Sequence, residues 1–279
     1  MAIKSGKQFF NISKVPMTTA SGPSPSRYTQ RRGSRPRGGP SPEPRRKHIN
    51  ALQPRLKDME LREAIRWRRS IRRYTPTPIP PETLRDILEA GIWAPSSGGT
   101  RPYKLLPVTD RPQIDALYET IRREHIPRQI RRLAGRMDPG ELTSRLEAYL
   151  DGIRAAAAHV LLLHDLQAGA DRFTGGDVEA LRSNPYLHGS LGDSLLFTAQ
   201  NIMLQAAAHG LGSLYMETVR PEGPAILRHL GLRDTLELTA IIPIGTPDEH
   251  PEPQRRSLED HLIQPGAPTG STPQPEPQE

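Results

Sequence analysis

The sequence predicts an α+β domain held between two tails of a different composition. Three observations lead there. Helical apolar periods outnumber strand-like runs through the middle of the chain, and their order does not repeat as βα units. Basic residues and prolines, by contrast, gather at the ends.

The tails are legible first. Residues 1–50 hold eleven of the 38 Lys/Arg and a single acid, Glu43, so they carry a net +10. The remainder of the chain has 27 basic and 30 acidic groups, so the overall +7 belongs to the tail. Of the 30 prolines, seven lie in residues 1–50 and eight in 247–279, and both stretches are poor in apolar residues. Such segments cannot offset the entropy of ordering. Residues 1–52 and 264–279 are therefore expected to be disordered, with the folded domain at 53–263. A nucleic-acid-binding domain would carry its basic footprint on the fold itself, so no nucleic-acid partner is expected.

From Leu56 onward Met59, Leu61, Ala64 and Ile65 follow a helical period, running into Arg68-Arg69-Ser70. A second helix opens on Pro80-Pro81 with Glu82 beside them, carries Leu84, Ile87, Leu88, Gly91 and Ile92 as one stripe, and stops at Ala94-Pro95. A strand is predicted over 104–109, weakened by Pro107. Residues 111–155 read as two or three polar helices, and 160–163 as a short buried strand. A long helix over 191–209 ends at Gly210, with Asp193 read as a charge near its start complementing the dipole. Residues 221–230 form another helix, and 236–244 (LELTAIIPI) the last core strand.

Composition removes several function classes. With no cysteine there are no disulfides or thiolate metal sites, and redox chemistry needs a bound cofactor. No apolar run approaches the length of a membrane span. The N-terminus lacks the apolar core of a secretory signal, and its prolines and glycines oppose the amphipathic helix of a transit peptide, so a cytoplasmic location is expected. The nine histidines show no metal-ligand spacing. His159 and His164 merely flank an apolar strand, and no metal site is expected.

Four clusters carry candidate chemistry. In RRSIRRY (68–74) several guanidinium groups and a hydroxyl crowd a helix end, a set suited to a dianion because arginine forks match phosphate oxygens in pairs. In APSSGGTRPY (94–103) small residues let backbone groups approach a flat ring edge-on. In AHGLGSLYMET (208–218) a helix ends on glycine and turns into a short extended stretch. The fourth is PIGTP (243–247) followed by QRRSLED (254–260). The arginine-rich 122–136 is read as a solvated face in preference to a substrate lid.

The order and spacing of these clusters resemble the nitroreductase superfamily, from about Leu56 to Asp260. The resemblance implies a three-layer α+β sandwich, its central mixed or antiparallel sheet flanked by helices, forming an intertwined homodimer with FMN at the interface. Carried over by residue, Arg68, Arg69, Ser70 and Arg72 would take the ribityl phosphate and part of the ring edge. Pro95, Ser96 and Ser97 would line the ring from the other subunit. Tyr215, Met216 and Glu217 would lie near flavin N5, offering main-chain hydrogen bonds. Arg255 or Arg256 would return to the phosphate, with both left open. Family members often read PSSGN-x-QPW where this chain has Gly99, Arg101 and Tyr103 in place of Asn, Gln and Trp.

The expected function is FMN-dependent oxidoreduction: NAD(P)H reduces the flavin, which reduces a nitroaromatic, quinone-like or related small acceptor in ping-pong fashion. No catalytic side chain is expected, because the flavin carries the chemistry. One alternative is the reverse direction, an FMN-dependent dehydrogenase or oxidase desaturating a peptide- or azoline-type substrate. The alternative from another class is a non-catalytic flavin- or nucleic-acid-binding protein. Nothing in the sequence names the substrate, the nicotinamide preference or the role of the basic tail.

Overall fold

A computed structural model describes residues 59–263; the readings for 1–52 and 264–279 lie outside these residues. Four strands form one sheet: β1 (Tyr103–Val108), β2 (Ala158–Asp165), β3 (Gly212–Ser213) and β4 (Leu236–Gly245), in the order β1-β2-β4-β3. Every neighbouring pair is antiparallel. Among the described residues the one parallel pairing is the isolated bridge Ser70↔Ser213.

All eight residues of β2 are buried, as an apolar strand covered on both faces requires. Its alternation sorts the core into two. Leu161 and Leu163 face one cluster, with Leu238 and Ile241 of β4, while Val160 and Leu162 face the other, with Ile242 and Ile244. That β4 serves the first cluster from an even position and then an odd one reflects a bulge, where the register slips between Leu162 and Leu163. One extra residue at Thr239–Ala240 reverses which face each later side chain meets.

Helices α3 (Arg111–Arg132), α4 (Pro139–Arg154) and α8 (Gly223–His229) cover the first face. Helices α2 (Pro81–Ile92) and α7 (Pro185–Ala208) cover the second, with α1 (Leu61–Trp67) beside α7. The three starts that bear on the site share one device. Asp110, Asp138 and Asn184 cap α3, α4 and α7 by accepting from Gln113 N, Glu141 N and Leu187 N at 3.2, 2.9 and 3.1 Å, each with a proline in the first turn.

Several expectations need correction. The long helix begins at Pro185 rather than 191, so Asp193 lies well inside it and Asn184 does the capping. The helix expected over 221–230 divides into a 3-10 turn, Arg220–Glu222, and α8. Two short helices, α5 (Leu166–Phe173) and α6 (Val178–Arg182), were not foreseen; Leu166, Ala170, Leu181 and Leu191 close a small core of their own. Nor is α3 merely polar, since Ile114, Leu117, Tyr118 and Ile121 are fully buried. Of the arginines in 122–136, Arg123, Arg131, Arg132 and Arg136 are exposed as a solvated face requires, while two are structural. Arg122 pairs with Glu119, Glu147 and Asp151, strapping α3 to α4, and Arg128 pairs with buried Glu222.

Strand β1 lies at the sheet edge, and Pro107 sits within it opposite Val160. A residue without an N–H is tolerated there because the outer side of an edge strand has no partner to satisfy. Among the described residues no helix is long and apolar enough to cross a membrane.

Candidate functional site

The segment 68–74 leaves α1 and runs alongside β3. Ile71 N donates to Ser213 O at 3.0 Å, and Thr75 N to Thr246 O at 3.0 Å. Tyr74, buried, donates its hydroxyl to Ile71 O at 2.8 Å. The approach is close because of two glycines. A Cβ at Gly212 would meet Ile71 Cγ1 at 2.8 Å, and one at Gly152 of α4 would meet the main-chain oxygen of Arg72 at 2.6 Å. With Ile71 turned inward, its neighbours Ser70 and Arg72 are left on the outer side.

Arg68 and Ser70 line an open cavity of about 320 Å³ with Tyr215 and, from one face of α7, Leu196, Ala199, Gln200 and Met203. Burial and the nearby guanidinium groups of Arg255 and Arg69 hold the Arg68 pKa below its usual value. Among the described residues none of Arg68, Arg69 and Arg255 has a carboxylate partner. Positive charge without a counter-charge attracts anions. The proximity also separates the two C-terminal arginines, because it is Arg255 that acts on Arg68.

The other residues of the first motif have different surroundings. Arg69 donates from Nη1 to Arg68 O at 2.9 Å and to Arg66 O, so this one nitrogen caps the carbonyl end of α1. Arg72 is exposed, donating to Ser70 O at 3.2 Å, while its backbone N–H meets the carboxylate of Glu249. Neither lines the cavity.

Tyr215, Met216 and Glu217 continue from β3 beside β4. Met216 uses both main-chain groups on Ile241, donating at 3.0 Å and accepting at 3.2 Å. In extended chain successive N–H groups point to opposite sides. Those of Tyr215 and Glu217 thus face away from β4, and they have no hydrogen-bond acceptor among the described residues.

The loop 94–101 is elsewhere. Ser97 N donates to Ser194 Oγ at 3.0 Å, Ser97 Oγ lies 3.0 Å from Ser190 Oγ, and Arg101 N donates to Ser96 Oγ at 3.0 Å. The first two contacts pin the loop to the N-terminal half of α7, and the third closes the loop on itself. Gly98, Gly99 and Arg101 all take positive φ (57°, 67° and 48°), which winds the loop tightly. Pro95, Ser96 and Ser97 do not line the cavity of their own chain. Beside it, the outer faces of α2 and α7 present Ile92, Trp93, Leu196 and Phe197, with Trp93 79% exposed.

Sequence reasoning missed Gln200 and its helical neighbours on the cavity wall. Their helical period gave a signal, but only the glycine end of that helix drew notice. It also missed Gly152 and Glu249, which have no local pattern to mark them.

The fold and site define an α+β class: a helix-covered antiparallel sheet with a hollow, bordered by Arg68 and Ser70, beside its short strand. Residues 65–246 match the model of the Nitroreductase family, and the chain belongs to that family. It is 27% identical to the NADPH-flavin oxidoreductase of Vibrio harveyi over 72% of this chain and 71% of that protein. It is 28% identical to a protein named NADH dehydrogenase from Thermus thermophilus, covering 74% of this chain and 95% of the relative. Among solved structures, a nitroreductase-like protein from Desulfovibrio desulfuricans in complex with FMN superposes with a TM-score of 0.53 at 27% identity, covering 74% of this chain and 97% of the other.

Proposed function

We propose that this chain binds FMN at the Arg68–Ser70–Tyr215 cavity and uses NAD(P)H to reduce a small acceptor such as a nitroaromatic or quinone-like compound. The protein is an FMN-dependent oxidoreductase of the nitroreductase family. The observation that carries the assignment of the site is Arg68, without a carboxylate partner among the described residues, lining one cavity with Ser70 and Tyr215; the neighbouring Arg255 guanidinium adds positive charge there. A phosphate dianion answers that charge, and Ser70 adds a neutral donor beside Arg68.

When bound, FMN supplies hydride transfer at N5. The chain's residues then bind and orient. Arg68 and Arg255 hold the phosphate, and Ser70 fixes its position. The outward N–H groups of Tyr215 and Glu217 are the main-chain donors free to meet the ring; Met216 holds their stretch in register by its two bonds to Ile241. Fixed donors near a ring that gains negative charge on reduction stabilise it without reorganising.

The assembly is a homodimer in this reading. The apolar face with Leu196 and Phe197 adjoins the cavity through Leu196, and a second copy laid on it would bring its own Pro95–Ser97 loop towards the ring. The decisive experiment is the spectrum of the purified protein and of an Arg68→Ala/Arg255→Ala variant. Flavin absorbance in the first and its loss from a folded second support the site. A wild-type protein that takes up no FMN ends the proposal. Stopped-flow mixing with NADPH fixes the direction: rapid bleaching supports reduction of an acceptor, and a flavin bleached by a peptide-type substrate alone indicates the dehydrogenase alternative.

A further inference from the structure

The antiparallel pairing of β2 with β4 sets His164 directly across from Glu237, and the first turns of α7 bring His188 beside them. One ligand atom from each of the three lies within 4.8 Å of the others. His188 Nε2 is 2.7 Å from Glu237 Oε2, and the two imidazole rings are 5.2 Å apart. His164 is only 1% exposed, yet neither of its ring nitrogens has a hydrogen-bond partner in the described structure. A buried imidazole with both nitrogens unmet calls for a specific cause, and a bound ion is one of the few that serve.

We propose that His164, His188 and Glu237 bind one divalent transition-metal cation of the zinc class. Two imidazoles and a carboxylate are borderline ligands that favour such ions over magnesium or calcium. Three protein ligands leave one coordination position open to solvent or to a small ligand. Binding exchanges the His188–Glu237 hydrogen bond for two coordinate bonds and gives His164 the partner it lacks.

The surroundings suit the role. Arg182 Nε donates to the other carboxylate oxygen of Glu237 at 3.2 Å and is itself held by Asp234 O at 3.1 Å, an outer support that orients the ligating group. Glu237 and Arg182 also form part of the wall of a cavity of about 600 Å³, so the carboxylate is reachable from solvent. The site is separate from the flavin cavity. Glu237 lies four residues before Ile241, the β4 partner of Met216 next to the cavity-lining Tyr215, roughly 13 Å away along an extended strand. Ligands drawn from two strands and a helix leave no spacing in the sequence, which is why no metal site was expected from it.

The test uses full-length, untagged holoenzyme stripped of metal with a chelator and titrated with Co²⁺, then Zn²⁺. One Co²⁺ per chain should bind with visible ligand-field bands, and Zn²⁺ should displace it. His188→Ala and Glu237→Gln should each weaken binding at least tenfold while retaining the wild-type flavin content, which reports that the domain is folded. The absence of stoichiometric binding overturns the proposal. So does binding that persists unchanged in the double variant, which would place the ion on other histidines.

Discussion

A side-chain carbon at Gly152 would lie 2.6 Å from the main-chain oxygen of Arg72, so α4 and the arginine motif touch through backbone alone. The contact partner is a peptide oxygen, which cannot swing aside as a side chain can. Gly152→Ala should therefore push the motif off its course along β3. Flavin affinity is expected to fall at least tenfold, with the melting temperature lowered by several degrees. Fluorescence titration and thermal melting check this, and unchanged affinity would mean that the motif is not held from this side.

Arg255 and Arg256 should part company. A charge-assisted hydrogen bond to phosphate contributes about 1.5–3 kcal/mol, so Arg255→Ala should weaken FMN binding by roughly ten- to a hundredfold. Arg256→Ala should change it little. Equal effects would remove the basis for choosing Arg255, which is its influence on Arg68.

The buried His159 imidazole, its Nδ1 3.2 Å from the Tyr118 hydroxyl, is held down to about 3 by burial first and by the Arg111 guanidinium second. An unfolded histidine titrates near 6.5. Between about pH 3 and 6.5 the unfolded chain thus binds the extra proton, and stability falls as pH drops through that window. Urea unfolding at pH 7 and pH 5 should show His159→Leu losing about 2 kcal/mol less than wild type over that interval. Parallel losses in the two proteins would show that His159 does not titrate on unfolding as supposed.

Glu222 is 4% exposed and meets both His125, at 3.3 Å, and Arg128, which also donates to Thr218 O at 2.7 Å. Burial pushes its carboxyl pKa up, but hydrogen bonds from His125 and Arg128 outweigh this and hold it below the usual value. Its contribution to stability is present above the unfolded carboxylate pKa and lost as pH falls through the folded one. Glu222→Ala strands a guanidinium and should cost about 3 kcal/mol, read from the shift in urea midpoint. A midpoint within error of wild type would count the network as surface decoration.

Trp93→Asp combined with Phe197→Asp should halve the mass seen by light scattering and strip the flavin in the same step. A protein that keeps both its mass and its colour would place the association surface elsewhere.

How much of this could be read from the chain depended on how local each cause was. Pro80-Pro81 and the stripe from Leu84 to Ile92 announced α2, and Gly210 announced the end of α7, because caps and periods are short-range signals. The start of α7 was misplaced because Asn184-Pro185 precedes a stretch with glycines at 189 and 192 that blurs the helical period. α5 and α6 escaped because they are short and lean on Leu191 from a later helix. In the site, the arginines and Ser70 were visible as a motif. That Met216 is committed to Ile241, that Arg69 turns back on α1, and that Arg255 rather than Arg256 nears Arg68 are consequences of strand pairing and chain return, which no local pattern encodes.

Pro107 has a bearing on how the molecule keeps its own company. A partly folded chain emerging beside a finished one meets, at that rung of the outermost strand, a ring where a donor would be needed to zip on another strand. Growth of the sheet from molecule to molecule is disfavoured at that rung, so neighbours that approach it there are left to contacts between side chains.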